Sequence, residues 1–184
     1  MEKNLHKKLV NKDPLAIRQF VNDHKNVVFR TCMGYVQNED DANDITQEVL
    51  IKAIQSIHQF KAKSSIKTWV TRIAINLSLN YIRDNKKHNN KTKLEKADYF
   101  LSDEESEPDY SLSREEIKKN LSDAISQLPE RQQEAFILFH YNDYSYREIS
   151  EITGDSESSV ESLLQRARKN LQKKLAVYYS ENFL

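Results

Sequence analysis

Four polar residues that can donate several hydrogen bonds stand out in "TWVTRIAINLSLNYIRDNKK", Thr68 to Lys87: Arg72, Asn76, Asn80 and Arg83. Their spacing of i, i+4, i+8 and i+11 puts them on one helix face. Asn is a mediocre helix former, so two of them in mid-helix need a reason. Their amides offer donors and acceptors together, and the residues alone leave open what that face is for. Arg72 and Arg83, with the following Lys86 and Lys87, make this end of the helix basic. The opposite stripe, Ile66, Trp69, Val70, Ile73, Ala74, Leu77 and Tyr81, is apolar and belongs to a core.

A second candidate lies near the C-terminus. Ser145-Tyr146-Arg147-Glu148 has the spacing of a capping box and opens a short helix through Ile149 and Ile152. Gly154 supplies a turn, and Asp155 or Ser156 can cap a final helix. Val160, Leu163, Leu164, Ala167, Leu171 and Leu175 form that helix's apolar stripe. Short helix, glycine turn and longer helix make a helix-turn-helix plan. In the major groove the early residues of such a helix meet base edges and later cations meet phosphate. Here the early residues are Ser156, Glu157, Ser158, Ser159, Glu161, Ser162 and Gln165; the cations are Arg166, Arg168 and Lys169.

The elements that carry these residues are expected to be helices throughout. Of 184 residues only 2 are Gly and 3 are Pro, too few for the tight turns of a sandwich or barrel. Asp13-Pro14 opens a first helix to about Tyr35, where Gly34 and "QNEDD" interrupt the pattern. Ala42, Ile45, Val49, Ala53 and Ile57 stripe a second helix, whose other side shows Asp41, Asp44, Gln47, Glu48 and Lys52. "HQFKAKSS" is a short basic connection, and Ser64 or Ser65 caps the third helix. These three helices close a small bundle. Beyond it the apolar pattern fades, and Asp98 to Tyr110 holds six acids and no base. The chain therefore divides into a domain over 1–90, a linker over 91–113 and a helical domain over 114–184.

Formal net charge is zero, yet the charges are segregated into blocks. Glu39 to Glu48 is acidic and Lys61 to Lys96 basic; the linker is acidic and the last helix basic again. Such blocks suit differently charged partners. The single cysteine, Cys32, excludes an internal disulfide and a cysteine zinc site. No window approaches 18 apolar residues and the N-terminus lacks a leader pattern, so a cytoplasmic protein without membrane insertion is expected. Histidines 6, 24, 58, 88 and 140 have no metal-binding spacing, and no phosphate loop or nucleophile–base pair is visible. No cofactor and no enzymatic activity are expected.

Three stretches in order, "DANDITQEVLIKAIQSIHQF", "SIKTWVTRIAINLSLNYIRDNKK" and "LPERQQEAFILFHYNDYSYREISEITGDSESSVESLLQRARKNL", closely resemble bacterial RNA polymerase sigma factors of the extracytoplasmic-function (ECF) type, in the sigma-70 family. The resemblance covers roughly residues 14 to 174, the linker excepted. It implies a specificity subunit that brings core polymerase to promoters and favours their melting. It gives Asp41, Asp44, Gln47 and Glu48 the docking role on the β′ clamp helices, with the β flap as a further core contact. Phe60, Lys61, Lys63, Ser64 and Lys67 lie in the loop that holds a flipped base of the minus-ten element. The helix from Thr68 becomes the reader of the melted strand, with Asn76 and Asn80 on exposed base edges and Arg72, Arg83, Lys86 and Lys87 on phosphates. The final helix reads the minus-thirty-five element as duplex. Many relatives carry a cation where this chain has Glu161, an acid that repels phosphate or accepts from a cytosine amino group. The acidic linker resembles the family's connector along the RNA-exit path, and an anti-sigma factor is an implied partner.

Two other readings stay open on the residues themselves. One is a transcription regulator that binds duplex DNA as a homodimer through the final helix. The other is a helical interaction protein, which leaves the basic strip from Lys61 to Lys96 without a use.

Overall fold

The computed structural model describes residues 2–95 and 114–183, with side chains described for 5–85 and 116–176. Eight α-helices follow in order among these residues: α1 Glu2–Val10, α2 Pro14–Val36, α3 Glu39–Ser56, α4 Ile66–Glu95, α5 Arg114–Ser126, α6 Glu130–His140, α7 Tyr146–Thr153 and α8 Glu157–Phe183. A 3-10 turn, Ile57–Gln59, follows α3. No strand occurs among the described residues, so the fold is all-α.

Local chemistry sets the helix ends. Asp13 accepts from the Ala16 N–H at 2.9 Å, with Pro14 beginning α2. Gln37, at φ 57°, closes α2 by donating its N–H to Met33 O. Asn38 caps α3 through the Asp41 N–H, and three acids in the first turn complement the helix dipole. Ser65, rather than Ser64, caps α4 by accepting from the Thr68 N–H at 3.0 Å. Ser145 and Glu148 complete the capping box of α7, and Gly154, at φ +83°, ends that helix.

Helices α2, α3 and α4 pack on one another around Phe20, Val28, Val49, Ala53, Val70 and Ala74, all fully buried. Each large apolar side chain removed from water there stabilises the fold by about 1.5–3 kcal/mol. Buried Thr31, Thr46 and Thr71 return their hydroxyls to the carbonyl four residues back, so none of these three donors is stranded. In the second block α6, α7 and α8 pack together, and α5 lies on α8 through Ala124, Ile125, Leu128, Ala167 and Leu171.

Three expectations change. The N-terminus forms α1, in which Leu9 is fully buried and His6 meets the Ile57 carbonyl at 3.1 Å. Gly34 does not break α2: it lies inside the helix because Ile137 of α6 packs there, and a Cβ would stand 2.5 Å from Ile137 Cγ2. Helix α4 runs to Glu95, five residues into the expected linker; residues 96–113, with the acidic run, lie outside the described residues.

The two blocks also touch. Their buried residues form one continuous apolar cluster that runs from Phe20 and Val70 to Ile137, Tyr144, Ile149 and Ile152.

Candidate nucleic-acid and partner interfaces

Helix α4 carries the first interface. Its inner face is locked by Ile66, Val70, Ala74 and Ile75, which fixes the outer face in azimuth. Arg72, Asn76, Asn80 and Arg83 are all exposed on that outer side. Arg83 donates to Asn80 Oδ1 at 2.8 Å and lies 3.9 Å from Asp84. Arg72 does not stand free: it donates to the Ile152 carbonyl at 2.8 Å and the Glu151 carbonyl at 2.5 Å. The backbone of Lys86 and Lys87 belongs to α4, while their side chains lie outside the described ones.

The connection before α4 divides by exposure. Lys61 and Lys63 are exposed, and Ala62 between them takes a left-handed conformation, φ 52°. Ser64 is half-buried. Lys67 lies 3.3 Å from Glu148 and 4.1 Å from the Tyr144 ring centroid. Phe60 lies at the start of this connection and turns inward. Its ring is buried, 5.5 Å from both the His6 and Trp69 rings, so it shapes the core under the loop and cannot stack on a base without leaving that core. Trp69 faces Phe60, consistent with a core role.

Helix α3 presents the second interface. Asp44, Gln47 and Glu48 are exposed one turn apart, and Asp41 is half-buried at their upstream end. Asp41 faces the Tyr81 hydroxyl, whose hydrogen bond to it pushes the phenol pKa up. Ile51, 56% exposed, continues the same stripe one turn below Gln47 and Glu48. It is an apolar side chain that the charge pattern did not single out.

The helix-turn-helix, α7 and α8, carries the third. Ser156 accepts from the Ser159 N–H at 3.2 Å and so caps α8, while Asp155 turns away to pair with Arg131. Glu157, Ser158, Glu161, Ser162, Gln165, Arg166 and Lys169 are exposed; Ser159 is half-buried. Gln165 reaches back to Glu161 at 3.5 Å, which leaves the acid on the outer face. Arg168 leans on Phe139 of α6, its guanidinium 5.9 Å from the ring centroid.

Known proteins share this arrangement of parts. The family described as Sigma-70 region 2 matches residues 20–88, and Sigma-70, region 4 matches residues 118–171. The RNA polymerase sigma factor SigV of Bacillus subtilis is 32% identical over 81% of this chain and 84% of its own. The chain belongs to the sigma-70 family of RNA polymerase sigma factors and is of the ECF type. The ECF RNA polymerase sigma-E factor of Haemophilus influenzae is 30% identical over 89% of each chain. The solved structure of CnrH in complex with the cytosolic domain of CnrY covers 96% of this chain and 97% of its own, with a TM-score of 0.69 and 17% identity; it shares the fold.

This sigma factor is thus a transcription initiation factor, and the homodimeric regulator is not favoured. Among the described residues no group of three or more His, Cys, Asp or Glu is placed to hold a metal ion. No described helix is long and apolar enough to cross a membrane. Cys32 is buried, which pushes its thiol pKa up and disfavours the reactive thiolate.

Sequence reading missed the residues that join the sigma factor's two blocks. Asn142 donates to the Val27 carbonyl at 2.8 Å and to Thr31 Oγ1 at 3.0 Å. The Tyr144 and Thr71 hydroxyls share a 2.7 Å hydrogen bond. Tyr144 is 2% exposed although "YNDYS" has the composition of a turn. An aromatic on either side of Asn-Asp was the available signal.

Proposed function

We propose that this sigma factor divides promoter recognition among three surfaces. Asp41, Asp44, Gln47 and Glu48 of α3 dock on the β′ clamp helices of core polymerase, and the C-terminal domain meets the β flap. The exposed residues of α8 hold the minus-thirty-five duplex, with Arg166 and Lys169 on phosphates. Asn76 and Asn80 of α4 hydrogen-bond bases of the melted non-template strand. Unstacking a base costs a few kcal/mol, which these contacts and the surrounding cations offset. Binding that strand alone shifts the duplex toward the open state. The protein acts in the cytoplasm as a non-enzymatic subunit. An anti-sigma factor is a further partner, as the structural relative CnrH is solved in complex with the cytosolic domain of CnrY.

The observation that carries this reading is the α4 face. Two exposed asparagines stand between Arg72 and Arg83 on a helix whose inner side is locked in a core. Run-off transcription with core polymerase on a genomic fragment library tests it. New, discrete start sites that depend on the protein are expected. An unchanged set of starts, with tight binding of the protein alone to duplex DNA, overturns it.

A further inference from the structure

A cleft of about 530 Å³ opens among the ends of α2 and α4, the start of α3, and helices α5 and α6. Three of its lining residues are acids: Asp41 of α3, Asp123 of α5 and Glu130 of α6. None of its lining residues is a lysine, an arginine or a histidine. Charge of one sign held in a concave space draws counter-charge more strongly than the same charge on an open surface. A neighbour feels that field: burial, then the charges of Asp155 and Glu130, push the Glu134 carboxyl pKa up against a smaller opposing effect of Arg131.

The cleft also holds a polar group without a partner. Tyr35 lines it and is 3% exposed, and its hydroxyl makes no hydrogen bond among the described residues. Burial, then the charges of Glu134 and Glu130, push its phenol pKa up, which puts the hydroxyl near the acids of α6 at the floor of the cleft. A buried hydroxyl left unpaired costs free energy, and its oxygen is free to accept an N–H.

The spacing of the acids sets the class of ligand. They stand on three different helices, and no group of three or more among the described residues converges on a metal ion. A single point charge cannot satisfy them together, whereas a chain with separated ammonium groups can. Val36, Leu79, Ile82 and Leu128 supply apolar wall, which suits the methylenes between such groups. An ammonium donates three N–H and accepts none, which matches carboxylates and an unpaired hydroxyl oxygen.

We propose that this cleft binds a small aliphatic polyamine, with ammonium groups on Asp41, Asp123 and Glu130 and an N–H donated to the Tyr35 hydroxyl oxygen. Asp41 is shared with the acidic stripe of α3, so an occupied cleft neutralises the upstream end of that stripe. The binding itself needs neither DNA nor core polymerase, so its test stands apart from the function proposed above.

Spermidine titrated calorimetrically into the full-length protein is the probe, and one spermidine per chain is expected. Tyr35→Phe keeps the ring in the core and removes the unpaired oxygen. It should leave the unfolding temperature unchanged or raised while weakening spermidine at least about tenfold. Asp123→Asn with Glu130→Gln, both exposed, should also weaken it at least about tenfold. Glu39→Gln with Asp40→Asn removes two exposed acids outside the cleft and should change neither affinity nor stoichiometry. No saturable binding, several equivalent sites per chain, equal loss in the Glu39 and Asp40 control, or undiminished binding by Tyr35→Phe each overturn the proposal. Displacement of spermidine by an equal concentration of magnesium overturns it in favour of a metal ion. Tighter binding of a trilysine peptide overturns it in favour of lysines on a protein partner.

Discussion

Lys67 and Glu148 stand 3.3 Å apart across the junction of the two blocks, 81 residues apart in sequence. The other oxygen of Glu148 accepts from the Ser145 N–H and hydroxyl, each at 2.9 Å. One carboxylate therefore closes the cap of α7 and holds α4 to it.

That double duty makes acid a specific disturbance. The Ser145 N–H, then the Ser145 hydroxyl and Lys67, hold the Glu148 carboxyl below its ordinary value of 4.5, against a smaller opposing effect of burial. The folded state therefore favours the carboxylate more than the unfolded chain does. Its contribution is complete above the unfolded value and is lost as pH falls below about 4.5 through the folded one. Thermal unfolding followed from about pH 6 to pH 3 should show an acid limb that is shallower in Glu148→Gln. Identical limbs in the two proteins would remove Glu148 from the acid response.

On α4 the two asparagines and Arg72 separate by their surroundings. Asn76→Ala with Asn80→Ala removes the proposed base contacts and no core packing, since both side chains are exposed. Open-complex formation, read by permanganate footprinting, should fall by about two orders of magnitude if each asparagine is worth about 1–1.5 kcal/mol. Affinity for core polymerase should not change. Normal melting by the double variant would end the assignment.

How far the sequence disclosed this molecule depends on the range of the interaction. Asp13, Ser145, Glu148 and Gly154 act on neighbours within a turn, and each cap is where local chemistry puts it. The apolar stripes of α2, α3, α4 and α8 were legible because helical periodicity is local too. What escaped depends on residues far along the chain. Gly34 has the signature of a break, yet it is a point of close approach to Ile137. Phe60 sits in a basic loop and turns inward only because α1 and Trp69 are there to meet it. Arg72 carries the charge for phosphate, and nothing near it in sequence announces the α7 carbonyls. Helix α1 was passed over because Leu5, Leu9 and Val10 are too few for a periodic pattern.

On α3 the acidic stripe carries a separable consequence. Asp44 and Glu48 are exposed, so reversing both to Lys leaves the core intact while inverting the field a basic partner meets. Affinity for core polymerase should fall at least about tenfold, chiefly through slower association at low salt. Thermal stability should change by less than about 0.5 kcal/mol. An unaltered core affinity would take the stripe out of docking. Ile51→Ala probes the apolar centre of the same stripe; loss of a half-exposed side chain should speed dissociation and leave association untouched.

The final helix allows a comparison between two arginines two residues apart. Arg166 is exposed, and among the described residues no ring or carboxylate lies against it, so Arg166→Ala removes the proposed phosphate contact and little else. The salt slope of holoenzyme binding to duplex promoter should lessen by about one. Arg168 lies over the Phe139 ring, so its truncation also uncovers part of α6. Arg168→Ala should therefore lower the unfolding temperature, by a cation–π contact worth about 0.5–1 kcal/mol at an exposed site. Arg166→Ala should leave that temperature unchanged. Equal salt slopes in wild type and Arg166→Ala would take Arg166 off the phosphate backbone, and the burden of duplex grip would pass to Lys169.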